Sequence, residues 1–220
     1  MFERIELQTK DGVRIVGNHY KGAIGSPAVL LLHMLPRTKE SWVNFAQKLH
    51  AFGFGVLAID FRGHGESQDG PEGYKNFSEE ETAKSIADVK AAIRFQKEEG
   101  HSPLFVIGSS IGSNFAMQAL AGDADIRGAV LLSPGISYYG VRTLPFAKKI
   151  MEHQSVMIIA ARDDERQSGN AEDMAKEIFG ALNTPEKELK IYDAGGHGND
   201  LFITHPELEN KIIEWLESQI

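Results

Sequence analysis

The run from Pro103 to Leu120 constrains the fold more than any other part of the chain. Leu104-Phe-Val-Ile107 is a short apolar strand pattern. Gly108, Ser110 and Gly112 then alternate with Ser109 and Ile111, and Ser113-Asn-Phe-Ala-Met-Gln-Ala-Leu120 continues with a helical pattern. A strand that turns at once into a helix holds its corner residue in a strained backbone conformation. The positions two before and two after it must be nearly bare for strand and helix to pass each other. Such a corner lifts the Ser110 hydroxyl clear of the sheet and sets it at a helix N-terminus, where orphan N–H groups favour developing negative charge. In a chain with 22 glycines the Gly-x-Ser-x-Gly spacing says little by itself. Between an apolar strand and a helix it makes Ser110 the candidate nucleophile.

A serine nucleophile needs a base, and the base needs a group to orient it. Ser155-Val-Met-Ile-Ile-Ala160 reads as a later strand, followed by Ala161-Arg162-Asp163-Asp164. Glu188-Leu-Lys-Ile-Tyr192 reads as the last strand and leads into Asp193-Ala-Gly195-Gly196-His197-Gly198, where three glycines give the imidazole room to reach Ser110. The order is Ser, acid, His. In this arrangement His197 takes the hydroxyl proton, and a carboxylate at Asp163 or Asp164 fixes its tautomer and stabilises its charged form.

The remaining segments describe an α/β protein. Glu3 to Thr9 and Val13 to Tyr20, joined by Asp11-Gly12, predict an N-terminal β-hairpin. Strand and helix patterns then alternate, which predicts a mostly parallel sheet with helices on both faces. Ser41 to Phe52 carries Trp42, Phe45 and Leu49 at helical spacing and stops at Gly53. Ser78 and Glu81 form a capping-box pair, with Ile86, Val89 and Ile93 as the buried stripe of the helix it opens. Thr204 and Glu207 suggest a similar cap for the last helix. The loop from Asp60 to Tyr74, rich in glycine and charge, is the longest irregular stretch.

Two further loops give the chain a family resemblance. Ala28-Val-Leu-Leu-Leu32 is followed by His33-Met34-Leu35-Pro36 and Ser41-Trp42, and Gly55-Val-Leu-Ala-Ile59 by Asp60-Phe-Arg62-Gly63-His64-Gly65-Glu66-Ser67. Together with the serine corner and the Gly-Gly-His-Gly loop, these resemble the α/β-hydrolase fold over nearly the whole length. The nearest branch is that of small capless serine esterases, similar to dienelactone hydrolases but with serine as nucleophile. The resemblance implies a central sheet of about eight strands, helices on both faces, an N-terminal β-hairpin and no separate cap domain. It implies Asp164 as the acid, three residues after the small Ala161, with Asp163 the fallback. The backbone N–H groups of Leu35 and Ile111 become the oxyanion donors. His33 is expected to brace the oxyanion loop, His64 to shape the loop after the fourth strand, and Asp60 to anchor that loop with Arg62. Met34 departs from the family, which usually has glycine there.

Residues 133–154 leave no room for a cap and are expected to hold a helix over roughly Leu144 to Glu152, with Ile136–Gly140 overhanging an open site. Met34, Tyr138, Leu201 and Phe202 flank the key loops and are the expected pocket walls. The implied activity is two-step hydrolysis of small to medium carboxylic esters, a small-molecule substrate, without metal or organic cofactor. A thioesterase, an amidase or peptidase, and a cofactor-free perhydrolase or haloperoxidase would share the triad. A non-enzymatic binding protein on this fold would be expected to lose a triad member, and none is missing.

Bulk properties agree. The 220 residues suit one domain spanning 1–220, with 42% hydrophobic and 25% charged residues. A net charge of −8 without any basic block argues against nucleic-acid partners or an anionic membrane surface. No apolar run approaches a membrane span, and the N-terminus carries no signal-like segment, so a cytoplasmic location is expected. The absence of cysteine excludes a thiol nucleophile and disulfides.

Overall fold

Strands that are apolar on both faces decide the architecture. In the computed structural model, which describes residues 1–220, every residue of β3 (Ala28–Leu32), β4 (Gly55–Ile59), β5 (Leu104–Ser109) and β9 (Ser155–Ala161) is buried. Such strands need cover on both sides. Together with β1 (Glu3–Gln8), β2 (Arg14–Tyr20), β6 (Ile126–Leu132) and β12 (Lys187–Tyr192) they form an eight-stranded sheet, ordered β1-β2-β4-β3-β5-β6-β9-β12. β2 runs antiparallel to β1 and β4, and the remaining neighbours are parallel.

The two-residue period of the strands sorts the core into two layers. Leu30, Leu32, Val106 and Leu131 face a layer built with Val89 of α3 (Ile86–Glu98), Phe115 of α4 (Ile111–Gly122) and Ile178 of α6 (Ala171–Ala181). Val29, Leu31, Ile107 and Leu132 face the opposite layer, with Phe45 and Leu49 of α1 (Val43–Ala51) and Ile212 and Leu216 of α8 (Leu208–Ser218). The chain leaves β3 for α1 on one face and leaves β5 for α4 on the other. The loops after these adjacent strands therefore diverge, opening a crevice at the carboxyl ends of the strands. No helix is long and apolar enough to cross a membrane.

Three helix boundaries differ from the sequence expectation. The Ser78–Glu81 capping box forms, but it opens a short helix, α2 (Glu79–Ala83), separate from α3, which holds the Ile86–Val89–Ile93 stripe. Thr204 ends another one-turn helix, α7 (Leu201–Thr204), and α8 starts after Glu207 with no side-chain cap, so Thr204 and Glu207 do not form the expected box. Residues 133–154 contain a small hairpin, β7 (Ser137–Tyr138) with β8 (Val141–Arg142), and then α5, which covers only Leu144–Ala147. The expected extension to Glu152 fails because the Gln154 amide donates to the carbonyls of Leu120 and Ile126, at 2.8 and 3.1 Å, and ties the chain back to the sheet. A second small hairpin, β10 (Glu165–Arg166) with β11 (Gly169–Asn170), follows β9.

Candidate active site

Ser110 occupies the corner between β5 and α4 with φ 54° and ψ −119°, a conformation that costs about 1–3 kcal/mol for a residue with a side chain. Its N–H donates to Leu132 O at 2.8 Å, and the Ser113 hydroxyl braces the turn by donating to Gly108 O at 2.7 Å. The two flanking glycines are obligatory. A Cβ on Gly108 would run into the backbone of Gly112, and a Cβ on Gly112 into the Leu32 carbonyl.

The candidate acid and base meet across two loops. Asp164 and His197 are both buried, with Asp164 Oδ2 2.7 Å from His197 Nδ1. A carboxylate can only accept here, so Nδ1 carries the proton and Nε2 of the neutral ring is bare. Burial alone would push the Asp164 carboxyl up. Hydrogen bonds from His197, the Ser133 hydroxyl and Arg166 outweigh it and hold the group below the usual carboxylate range. The Arg166 contact, Nε to Oδ1, measures 3.1 Å.

Asp163, the sequence alternative, is exposed and bonded elsewhere: it accepts the N–H groups of Gly195 and Gly196 at 3.0 and 3.3 Å and so anchors the histidine loop. Beyond His197, Gly198 N–H donates to Ser133 Oγ at 3.0 Å and Asn199 N–H to Ser109 Oγ at 2.9 Å. Sequence reasoning missed Ser109, Ser133 and this use of Asp163, since each binds a backbone group on a distant loop. The only signal was their position at strand ends.

The loop after β3 presents Leu35 beside the corner. Neither the Leu35 nor the Ile111 N–H donates to a protein acceptor. Fully buried His33 braces this loop: Nε2 accepts from Phe61 N–H at 3.1 Å, which requires Nδ1 to be the donor to Met34 O at 3.0 Å. Burial pushes the His33 pKa down to about 3, which keeps the ring neutral near pH 7. Met34 fits in place of glycine because its side chain turns inward, its sulfur lying against Gly198. His64 donates from Nδ1 to Arg62 O at 3.0 Å and stacks on Tyr74 at 4.1 Å, shaping the loop after β4.

Asp60 does not pair with Arg62 as expected. Both residues lie past the end of β4, and each is taken by a partner from another element: Asp60 binds Lys39 Nζ at 2.8 Å, while Arg62 binds Asp88 at 2.6 Å and Asp11 at 2.7 Å.

Ser110 and His197 are walls of one cavity of about 560 Å³, with Leu35, Tyr138, Tyr139 and Arg166. Its surroundings are more polar than the sequence suggested, because Glu79, Glu165 and Ser168 also line it. Of the four expected pocket residues, only Tyr138 lies there. Met34 packs behind the histidine loop, Leu201 is fully buried in the α1–α8 layer, and Phe202 stacks against Phe45 at 5.0 Å. The helical turn of α7 directs Leu201 and Phe202 away from the Ser110 cavity. No group of three or more His, Asp or Glu side chains converges to hold a metal ion.

Residues 26–162 match the family described as serine aminopeptidase, S33, a match that takes in Leu35, Ser110 and more than half of the chain. The chain belongs to this family. As a member of the α/β-hydrolase superfamily it superposes on an esterase of Pyrococcus furiosus with a TM-score of 0.82, at 22% identity over 100% of this chain and 91% of that one. That likeness is one of fold. A cold-adapted esterase from an Arctic intertidal metagenomic library gives a TM-score of 0.80 at 26% identity, over 99% and 93% of the two chains. In sequence, thiohydrolase aneE of Aspergillus aculeatus is 26% identical over 172 residues, 76% of this S33-family chain and 52% of the other. The chain thus spans about half the length of that relative.

Proposed function

We propose that this chain is a serine hydrolase of small to medium carboxylic esters, acting through Ser110, His197 and Asp164. The observation that carries the reading is the 2.7 Å contact between buried Asp164 and His197, on the same cavity as a serine held at φ 54°. Ser110 Oγ attacks the ester carbonyl while its proton passes to His197 Nε2, and Asp164 stabilises the imidazolium. The oxyanion is held by the unpaired N–H groups of Leu35 and Ile111, about 3–4 kcal/mol for each well-aligned donor. The carbon–oxygen bond to the alcohol breaks as His197 returns the proton to the leaving oxygen. Water then repeats the two steps on the acyl-enzyme and frees the acid.

Thioesters are the second reading, favoured by the aneE relative, whose name is that of a thiohydrolase. The test is turnover of p-nitrophenyl esters, of the matching acyl thioesters and of an aminoacyl p-nitroanilide, beside a Ser110→Ala control. Ester turnover with an initial burst, reduced roughly 10⁵–10⁶-fold in a normally folded variant, is the expected result. Preference for the thioester or anilide reassigns the leaving group, and wild-type turnover in Ser110→Ala removes the serine mechanism.

A further inference from the structure

A second cavity, of about 280 Å³, adjoins the reaction centre. Four of its walls are aromatic, Phe61, Tyr74, Phe77 and Phe115, with the Phe61 and Phe115 rings 5.1 Å apart; Thr82 of α2 also lines it, and Arg62, His64 and Lys75 put charge and polarity at its border. Its near walls are Leu35 and Ile111, and Tyr139 borders both it and the Ser110 cavity. Neither His197 nor Arg166 lines it.

The geometry points to this aromatic chamber as the site of the acyl chain, and to a substrate class: esters of an apolar, medium-length acid with a small or polar alcohol. The argument rests on the reading of Ser110 and His197 given above. With the carbonyl oxygen between the Leu35 and Ile111 N–H groups, the two substituents of the carbonyl carbon must leave in different directions. The leaving oxygen has to face His197, which protonates it, so the alcohol lies in the cavity walled by His197, Arg166 and Glu79. The acyl carbon is left with the other exit, past Leu35 and Ile111 into the aromatic chamber. A volume of about 280 Å³ holds roughly nine water-sized groups, which suits a medium chain and not a long one. Burying each methylene there should raise kcat/KM by a factor of about four until the chamber is full.

Isomeric esters test the assignment without any mutation. Methyl octanoate and heptyl acetate have the same atoms, with the chain on opposite sides of the reacting bond. The expected result is at least a tenfold higher kcat/KM for methyl octanoate, and p-nitrophenyl esters that rise steeply from acetate to octanoate. Thr82→Phe, which projects a ring from α2 into the chamber, should move the break in that series to shorter chains. Equal rates for the isomers, preference for heptyl acetate, or a series unmoved in a folded Thr82→Phe protein would overturn the chamber. If no ester is turned over at all, the Ser110 reading fails instead. Calorimetric binding of octanoate then decides the chamber separately: weaker binding to Thr82→Phe than to wild type supports it, and equal binding overturns it.

Discussion

Two groups of loops leave the same edge of the sheet, and both are built from buried charge, histidine and glycine. After β4, the buried charges of Asp60 and Arg62 find partners within the protein. Asp60 accepts the Lys39 backbone and ammonium, both at 2.8 Å, and the Glu66 N–H at 2.9 Å. Arg62 lies between Asp88 and Asp11. After β5, β9 and β12 the chain of contacts runs from Arg166 through Asp164 to His197 and then reaches a cavity, with Ser110 on its wall. Motifs of equal prominence thus have different physical ends. A closed network fixes shape, because removing one member leaves a buried charge unpaired. The second network instead leads to His197 on the same cavity wall as the strained Ser110, and that pairing is the ground for the chemistry proposed there.

The largest effect that could break this contrast is at the proposed acid, Asp164. Asp164→Asn keeps the volume but favours the wrong imidazole tautomer, and kcat should fall by about 10⁴ with little change in melting temperature. Its neighbour should behave differently. Asp163→Asn weakens the hold on Gly195 and Gly196, so activity should fall roughly tenfold, in step with a stability loss of about 1 kcal/mol. Steady-state kinetics beside thermal melts separate the two outcomes. Equal or reversed losses would move the acid to Asp163.

The closed network should respond in the opposite sense. Asp88→Asn leaves the Arg62 guanidinium, itself largely buried, with only Asp11 for a carboxylate partner. Stability should drop by about 3 kcal/mol, while kcat of the protein that remains folded stays within a few-fold of wild type. Urea unfolding monitored alongside activity is the measurement. A large loss of kcat without loss of stability would place this loop in the reaction and dissolve the distinction.

What the sequence made legible follows the same division. The strand–helix corner at Ser110 and the glycine loop at His197 were legible because those patterns are local, whereas the choice of Asp164 over Asp163 came only with the family resemblance. The alternation of strand and helix patterns likewise made the mostly parallel sheet with helices on both faces readable. Partners far apart in the chain were not legible: Arg62 meets Asp88, and Asp60 meets Lys39, by the approach of separate elements. Side-chain direction was lost as well. Met34, Leu201 and Phe202 are close in sequence to the reacting groups, yet the turns that carry them point them into the core. The aromatic chamber was invisible for the same reason, since Phe61, Tyr74 and Phe77 of the long segment after β4 meet Phe115 of α4 only in the fold.

The smallest effect concerns the residue that joins the two regions. His33 accepts from Phe61 in the β4 loop and donates to Met34 in the loop beside the corner, so its neutral ring serves both. Burial holds its pKa near 3, against about 6.5 in an unfolded chain. Between those values the unfolded state binds a proton that the folded state refuses, so this contribution is intact above about pH 6.5 and declines as the pH falls towards 3. The slope is about 1.4 kcal/mol per pH unit for one such group. His19 and His64, also pushed down by burial, act in the same direction. His33→Gln keeps one donor and one acceptor without a titrating ring. Unfolding free energies measured from pH 6 to 4.5 should therefore flatten by about one proton in the variant, whatever its absolute stability. An unchanged slope would mean that the folded protein accepts the proton on His33, and then the joint between the closed and open regions would itself yield to acid.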